Sequence, residues 1–515
     1  MIYRLRQRCL PTAESTADAV DWPQFGAVAA RSTSSQAELL SSAVRCGTSV
    51  RHSSALKESD VDGAPTAQPV ADPAITLSAI RKATVRLVPF LGLLYLINYL
   101  DRVNVGFASL TMNADLGLST AAYGLGAGLF FIGYFFFEVP SNIILHRVGA
   151  RVWIARIMIT WGIIASSTAF IQGEISFYIV RVLLGIAEAG FFPGIILYLT
   201  YWFPRAKRAK IVALFFLAVP LSSVLGSPIS TLLIQNGDGV LGFAEGWRFM
   251  FFVEGLPAVL LGIVVLIVLP SKPRDAKWLT KDQSTALEQT ISEEDTRAVS
   301  GGEVSTRAAL TNPRVAALAV VYFGIVFGLY VLAFFLPQVI AGFQEQFNTT
   351  YSLVEIGLVT AIPYVFASVA MILWARHSDK TAERGGHVAI SVFVGAAAIA
   401  LALYQNSPVM IMVFITVAAV GIYSAIPIFW QLPSTMLTGV GAAAGIGMIN
   451  AFGNLSGFAG PYMTGWLEDL TCNFKTGLFV VAGLMVVAGI IAWTFRKTPV
   501  PDIPLTDTLA ATKAS

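Results

Sequence analysis

From Leu87 onward the chain alternates apolar stretches of roughly 20 residues with short polar breaks, the length a helix needs at ~1.5 Å per residue to cross ~30 Å of hydrocarbon. The pattern predicts membrane helices at 87–109, 121–145, 152–172, 176–201, 210–235 and 249–269, then at 315–341, 353–375, 387–405, 408–431, 441–466 and 475–496. Residues 270–313 form the longest interior hydrophilic stretch, with Lys272, Arg274, Asp275, Lys277, Glu293, Glu294 and Asp295. The expected organisation is a polar tail at 1–80, six spans within 81–269, a central loop at 270–313, six spans within 314–497 and a second tail at 498–515. The first tail is rich in Ser, Thr, Ala and Asp without apolar periodicity, so disorder is expected there. Its opening Arg4, Arg6 and Arg8 are followed by Glu14, Asp18 and Asp21 rather than by the apolar core of a signal sequence.

Lys and Arg in the short loops set the orientation, because positive loops stay in the cytoplasm. Arg147 and Arg151 follow the second span, Arg205, Lys207, Arg208 and Lys210 the fourth, Arg376, Lys380 and Arg384 the eighth, and Arg496 and Lys497 the twelfth. The intervening loops near Asp115, Glu174, Glu345 and Glu468 carry almost none. Both termini, the central loop and both tails are therefore expected on the cytoplasmic side of the plasma membrane, or of the inner membrane if the source is bacterial.

Composition sharpens the class. Of 515 residues, 55% are hydrophobic and 13% charged, and a mean hydropathy of +0.69 is far above that of a soluble domain. The chain is expected to be an all-α integral membrane protein with the lipid bilayer as its solvent. The net charge of +3 is not gathered into one basic block, so nucleic-acid binding gets no support. Cys9, Cys46 and Cys472 lack the paired spacing of a zinc or redox site, no nucleotide-binding motif is readable, and neither a metal nor a cofactor is expected.

The chemistry lies in ionisable residues inside the spans, because a charge in hydrocarbon is costly and normally faces a partner or a water-filled cavity. The first span places Asp101 and Arg102 in Leu96-Ile-Asn-Tyr-Leu-Asp-Arg-Val-Asn-Val-Gly106. In the fourth, Arg181 and Glu188 are about two turns apart and share a helix face. Two cations and two carboxylates can then line one cavity, although a pair of packing salt bridges would also account for them. Gln338, Tyr364, Gln431 and Asn454 are read either as cavity lining or as ties between helices. The glycines at 124, 126 and 128, and at 441, 445 and 447, are expected at close helix approaches.

The segments Asn98-Tyr-Leu-Asp-Arg-Val-Asn-Val-Gly-Phe-Ala108, Arg181 to Pro193 and Leu197-Tyr-Leu-Thr-Tyr-Trp-Phe-Pro-Arg205 resemble the anion:cation symporter family of the major facilitator superfamily. Val219-Pro-Leu-Ser-Ser-Val-Leu-Gly-Ser-Pro-Ile-Ser230 looks most like its tartrate-transporter branch, whose relatives include phthalate and hydroxyphenylacetate permeases. The resemblance implies the major facilitator fold, 12 transmembrane helices in two six-helix bundles, acting as a monomeric secondary transporter rather than an enzyme. Proton-coupled symport of a tartrate-like hydroxy dicarboxylate is the implied activity, with an aromatic acid or a sugar acid such as a hexuronate as the alternative substrate. By the same resemblance Arg102 and Arg181 would bind substrate carboxylates, Tyr99, Tyr134, Trp430 and Asn450 would line the site, and Asp101 and Glu188 would couple protons.

The superfamily's loop after the second span usually reads Gly-x-x-x-Asp-Arg-x-Gly-x-Arg, and here Asn142 and His146 take the Gly and Asp places while Arg147, Gly149 and Arg151 remain. With Asp379 and Lys380 after the eighth span, these three are read as conformational latches; His146 and His377 are read as solvated loop residues. Protons suit the coupling because a dianion entering a negative cell is opposed by about 4.6 kcal/mol per 100 mV, at ~2.3 kcal/mol per charge, which two protons cancel. Sodium would want a cage that includes carbonyls of unwound helix, and neither the first nor the fourth span is expected to be broken.

Overall fold

The computed structural model describes residues 72–300, 310–436 and 439–497, and every regular element among them is helical. The first half comprises α1 (Pro73–Val103), α2 (Val105–Leu116), α3 (Thr120–Val148), α4 (Ala150–Ser167), α5 (Glu174–Glu188), α6 (Phe191–Thr200), α7 (Arg205–Phe216), α8 (Ala218–Asn236) and α9 (Gly246–Val268). After α10 (Lys281–Ser300) follow α11 (Pro313–Phe347), α12 (Leu353–Thr381), α13 (Gly385–Ala402), α14 (Pro408–Phe429), α15 (Gln431–Met436), α16 (Gly439–Thr471) and α17 (Phe474–Thr494). Eleven of the helical segments are long and apolar enough to cross a membrane. The remaining predicted span is α16, at 33 residues long enough to cross, but diluted by Asn450, Asn454, Ser456 and a series of glycines.

Pauses or breaks in three spans have local causes. Span one pauses at Asn104, whose own dihedrals stay helical. Span four breaks between α5 and α6, where Ala189 is extended and Gly190 adopts φ +86°. A Cβ at Gly190 would meet Ser141 Oγ at 2.3 Å, and Pro193 has no N–H to continue the helical ladder. Span five divides at Leu217, with Pro220 in the first turn of α8. The expectation that span four runs unbroken is thus corrected, its interruption lying next to Glu188, whereas span one keeps helical dihedrals through Asn104 and runs as a single apolar segment, Pro73–Leu116.

Two differences concern the polar segments. Helix α1 begins at Pro73, inside the tail expected at 1–80, because Asp72 caps it by accepting from Ala74 N at 2.8 Å and proline fits the first turn. The rest of that tail, with its expected disorder, and residues 498–515 lie outside the described residues. Within the central loop, α10 packs along α1: Lys82 Nζ donates to Gln283 Oε1 at 2.9 Å and Gln283 Nε2 to Ser78 Oγ at 3.0 Å.

Helices of each half pack among themselves, α4 on α9 and α3 on α5 in the first, α13 on α14 and α17 in the second. The halves meet along α3 with α16, α8 with α12, and α2 with α11. The first two meetings are tight at the end that carries the α2–α3 and α11–α12 turns. A Cβ on Gly124 would sit 2.3 Å from the Pro461 carbonyl oxygen, and one on Gly357 would sit 2.1 Å from Thr231 Oγ1 and 2.6 Å from the Ser227 carbonyl oxygen. Asp469 of α16 caps α3, accepting from Thr120 N at 3.1 Å and Ala121 N at 3.0 Å. The close approaches expected at Gly124 and Gly128 are present against α16, and Gly126 faces Phe177 instead. Gly447 is a correction: no atom lies within 4 Å of its added Cβ. The outward faces stay apolar, with Leu260, Ile267, Phe366 and Leu373 all more than half exposed, as lipid contact requires.

Candidate functional site

Arg102 projects from α1 into a cavity between the halves, lined by Tyr95, Tyr99 and Tyr134 from one side and by Tyr322, Tyr330, Asn450 and Asn454 from the other. Arg102 as a whole is 6% exposed. It pairs with Glu188 at the end of α5, fully buried beside the helix break. The rings of Tyr99, Phe130 and Tyr134 lie with centroids 5.0, 5.0 and 5.3 Å from its guanidinium carbon, close enough for cation–π attraction. Its Nη1 also donates to Tyr330 Oη of α11 at 3.4 Å. A cation in this setting is held by one carboxylate, three aromatic rings and one phenol hydroxyl, so an incoming anion can replace the carboxylate without unseating the cation.

The other sequence-predicted residues divide. Asn450 lines the cavity and donates to Glu138 Oε1 at 2.7 Å. Trp430 stands behind it, edge-on to Tyr322 with centroids 4.9 Å apart. Asp101 turns away from Arg102 into the first half, where Trp161 Nε1 donates to its Oδ2 at 2.6 Å. Arg181 also points elsewhere. Its Nη2 and Nε donate to the carbonyls of Ala127 at 3.2 Å and Gly126 at 3.4 Å, and it shares the Phe130 ring with Arg102 at 5.1 Å. Of the two cations and two carboxylates, one ion pair is therefore formed, and only Arg102 lines the cavity, with Glu188 buried behind it.

Sequence reasoning passed over two carboxylates. Glu138 of α3 is clamped by Asn450 and, at 3.2 Å from Oε2, by Asn454 of α16. Glu254 of α9 is buried and accepts from Ser230 Oγ at 2.7 Å and from Asn104 Nδ2 at 3.0 Å, which anchors span one at its pause. The signal existed, since each is an acid within an apolar span, the criterion applied to Asp101 and Glu188. Of the residues left open between lining and ties, Asn454 does both, Gln338 ties span seven to Ser109 Oγ at 2.8 Å, and buried Tyr364 packs edge-on against Tyr423.

At the end of the molecule opposite the tight contacts, the residues read as latches lie in helix ends apart from Gly149, Arg147 in α3, Arg151 in α4 and Asp379 and Lys380 in α12, and the partners they have belong to their own half. Arg151 donates to the Leu266 carbonyl, and Asp379 pairs with Arg384 at 2.8 Å. Gly149 takes φ +95° at the junction of α3 and α4, while Arg147 and Lys380 are exposed. His146 and His377 are both exposed as expected, though both lie in the last turns of helices rather than in loops, and His377 also stacks on Trp374 with its Nδ1 2.8 Å from His387 Nε2.

Comparison with known proteins agrees with this architecture. Residues 91–461 match the Major Facilitator Superfamily. A protein named "Putative tartrate transporter" from Agrobacterium vitis is 52% identical over 81% of this chain and 91% of its own length. A "Quinolone resistance transporter" from Acinetobacter baumannii is 41% identical over 80% of this chain and 94% of its own, and "Putative metabolite transport protein NicT" from Pseudomonas putida 42% over 80% and 93%. Among solved structures, a bacterial homologue of the human lysosomal transporter Spinster, inward-facing and occupied, superposes with TM-score 0.62 at 17% identity over 79% of this chain and 96% of that one. The partially occluded inward-open xylose transporter XylE from E. coli gives TM-score 0.62 at 17% identity over 81% and 98%. An all-helical, multi-pass membrane chain with a polar cavity between two helix sets, this protein is a transporter of the major facilitator superfamily and not an enzyme.

Proposed function

We propose that the protein carries a small organic anion, a tartrate-like hydroxy dicarboxylate, together with protons by alternating access. The observation that carries this reading is the buried Arg102 guanidinium, held in the cavity by aromatic rings and paired with an internal carboxylate, Glu188. Arginine binds a carboxylate through two parallel hydrogen bonds, and a substrate carboxylate displaces Glu188 by offering them. The released Glu188 takes a proton, because a bare carboxylate in a buried site is costly. Asp101, buried with Oδ1 unpaired, is the second proton carrier, and two protons with a dianion move no net charge. Arg181 joins the site when helices α3 and α5 shift, exchanging carbonyl partners for substrate. The relatives named for tartrate support the substrate class.

Loop charges support cytoplasmic termini, and in that orientation the tightly closed end faces outward and the cavity serves the inside. The Arg147-Gly149-Arg151 and Asp379-Lys380 segments then act as latches that engage across the halves when the carrier turns outward. A second reading has one specific support: the cavity's aromatic walls, including Tyr95, Phe192, Phe216 and Tyr322, also suit an aromatic acid such as phthalate.

The test is uptake of labelled acids by purified monomer in proteoliposomes, with a pH gradient or a sodium gradient imposed separately. Accumulation of tartrate driven by the pH gradient alone is expected. Accumulation driven only by sodium removes the proton assignment, and failure of every carboxylate to compete removes the anion assignment.

A further inference from the structure

Glu138 and its two amide partners belong to opposite halves of the protein. Its carboxylate, on α3, receives Asn450 Nδ2 at 2.7 Å on one oxygen and Asn454 Nδ2 at 3.2 Å on the other. The two asparagines are one turn apart on α16, so both amides point to one spot. Both line the cavity that contains Arg102. Two side-chain N–H donors aimed at the two oxygens of one carboxylate form an anion subsite, and its present occupant is part of the protein. The charged and titratable groups that face Glu138 are Arg102 on α1, Tyr134 on its own helix and Tyr322 on α11.

The Arg102 arrangement is alike in kind: a donor in the cavity, filled by the protein's own carboxylate. Loading therefore requires internal groups to leave the donors, not merely the filling of a void.

We infer that Asn450 and Asn454 are the subsite for the second carboxylate of a two-ended anion, and that Glu138 occupies it as a substrate mimic when the carrier is empty. The inference rests on the carboxylate reading of the cavity proposed above and adds its selectivity. An anion with one carboxylate at Arg102 and the other at Asn450 and Asn454 ties the first half to the second, replacing the bridge that Glu138 makes. The freed Glu138, half-buried in the empty carrier, is solvated from the cavity mouth. An anion with one carboxylate replaces Glu188 only and leaves the Glu138 bridge in place. Selection for two-ended anions then arises from competition between substrate and Glu138 for the same two amides, without any cation in the second half.

The experiment measures inhibition of exchange in proteoliposomes by the most potent dicarboxylate among tartrate, malate, succinate and phthalate, and by the monomethyl ester of the same acid. In Asn454→Ala the dicarboxylate should weaken about tenfold to 100-fold while the monoester is unchanged, a loss typical of one hydrogen bond to a charged group. In Glu138→Gln, whose neutral amide is the poorer acceptor, the dicarboxylate should tighten by a similar factor with the monoester again unchanged. Equal shifts of diacid and monoester in both variants would overturn the inference and mark the cluster as helix packing. A parent protein that prefers the monoester would overturn it too, while leaving carboxylate transport standing. If no acid of either kind competes with the parent, the proposed function itself is refuted, and the subsite with it.

Discussion

Replacing Glu188 by Gln isolates proton coupling from anion binding. The parent Glu188 is fully buried and its carboxylate is the acidic partner of Arg102, itself 6% exposed. An anion entering the cavity must displace that carboxylate. Gln keeps the size and one carbonyl acceptor but loses the charge, and a charge-assisted hydrogen bond is about twice as strong as a neutral one, a difference of about 1.5 kcal/mol. Substrate competes with a weaker occupant, so its affinity should rise about tenfold. Gln also imitates a side chain that never releases its proton, so the loaded carrier should still turn between its two facings. In proteoliposomes the variant should exchange internal for external substrate at near the parent rate, while accumulation driven by a pH gradient collapses. Reciprocal linkage between proton and anion requires both effects to appear together. Accumulation at the parent level would refute Glu188 as an essential proton carrier. Loss of exchange with weakened binding would refute the displacement argument and leave Glu188 as a structural partner of Arg102.

Arg181→Lys should weaken substrate binding severely, by tenfold or more on a loss of about 1.5–3 kcal/mol for one charge-assisted hydrogen bond, without lowering the amount of inserted protein; unchanged affinity in an exchange assay removes Arg181 from the substrate path. Gly357→Leu places atoms where Thr231 Oγ1 and the Ser227 carbonyl already lie within 2.1 and 2.6 Å of its Cβ. Overpacking of this kind costs about 1–3 kcal/mol, so the closed end should open about fivefold to 100-fold more often, read as faster maleimide labelling of a single cysteine introduced at Ser109. Deleting residues 1–71, which precede the Asp72 cap of α1, should leave insertion and uptake nearly intact; normal insertion with lost uptake would give the tail a role in transport.

The contrast between Glu188 and Glu138 illustrates how far a residue-level reading reaches. Both are acids in apolar helices, and the cost of burying charge flags either one from the sequence. Glu188 was recognised because Arg181 lies two turns away on its own helix and a family motif surrounds it. Glu138 has no charged partner on α3, and its partners Asn450 and Asn454 are more than 300 positions further along the chain. The break at Ala189 and Gly190 was visible in part, since Gly190 and Pro193 lie close together in an otherwise apolar run. Its conformation depended on Ser141 of α3 pressing against Gly190, a contact between helices that no local pattern encodes.

By itself the sequence determined that this is a membrane protein, how many apolar segments it has, where most of them start and stop, and which charged residues are buried. Each of those follows from a one-dimensional quantity: a span needs enough consecutive apolar residues for the hydrocarbon thickness, and a charge inside such a run must find a partner. The tertiary structure decided which partner. It gave Glu188 to Arg102 rather than to Arg181, turned Asp101 toward Trp161, and brought Glu138 to two asparagines of the other half. Those pairings depend on the rotation and depth of the membrane-spanning helices relative to one another. Rotation and depth are set by side chains interlocking across helix surfaces and by glycines such as Gly124 and Gly357 that admit a neighbouring backbone, and the spacing of residues along any single helix does not contain them.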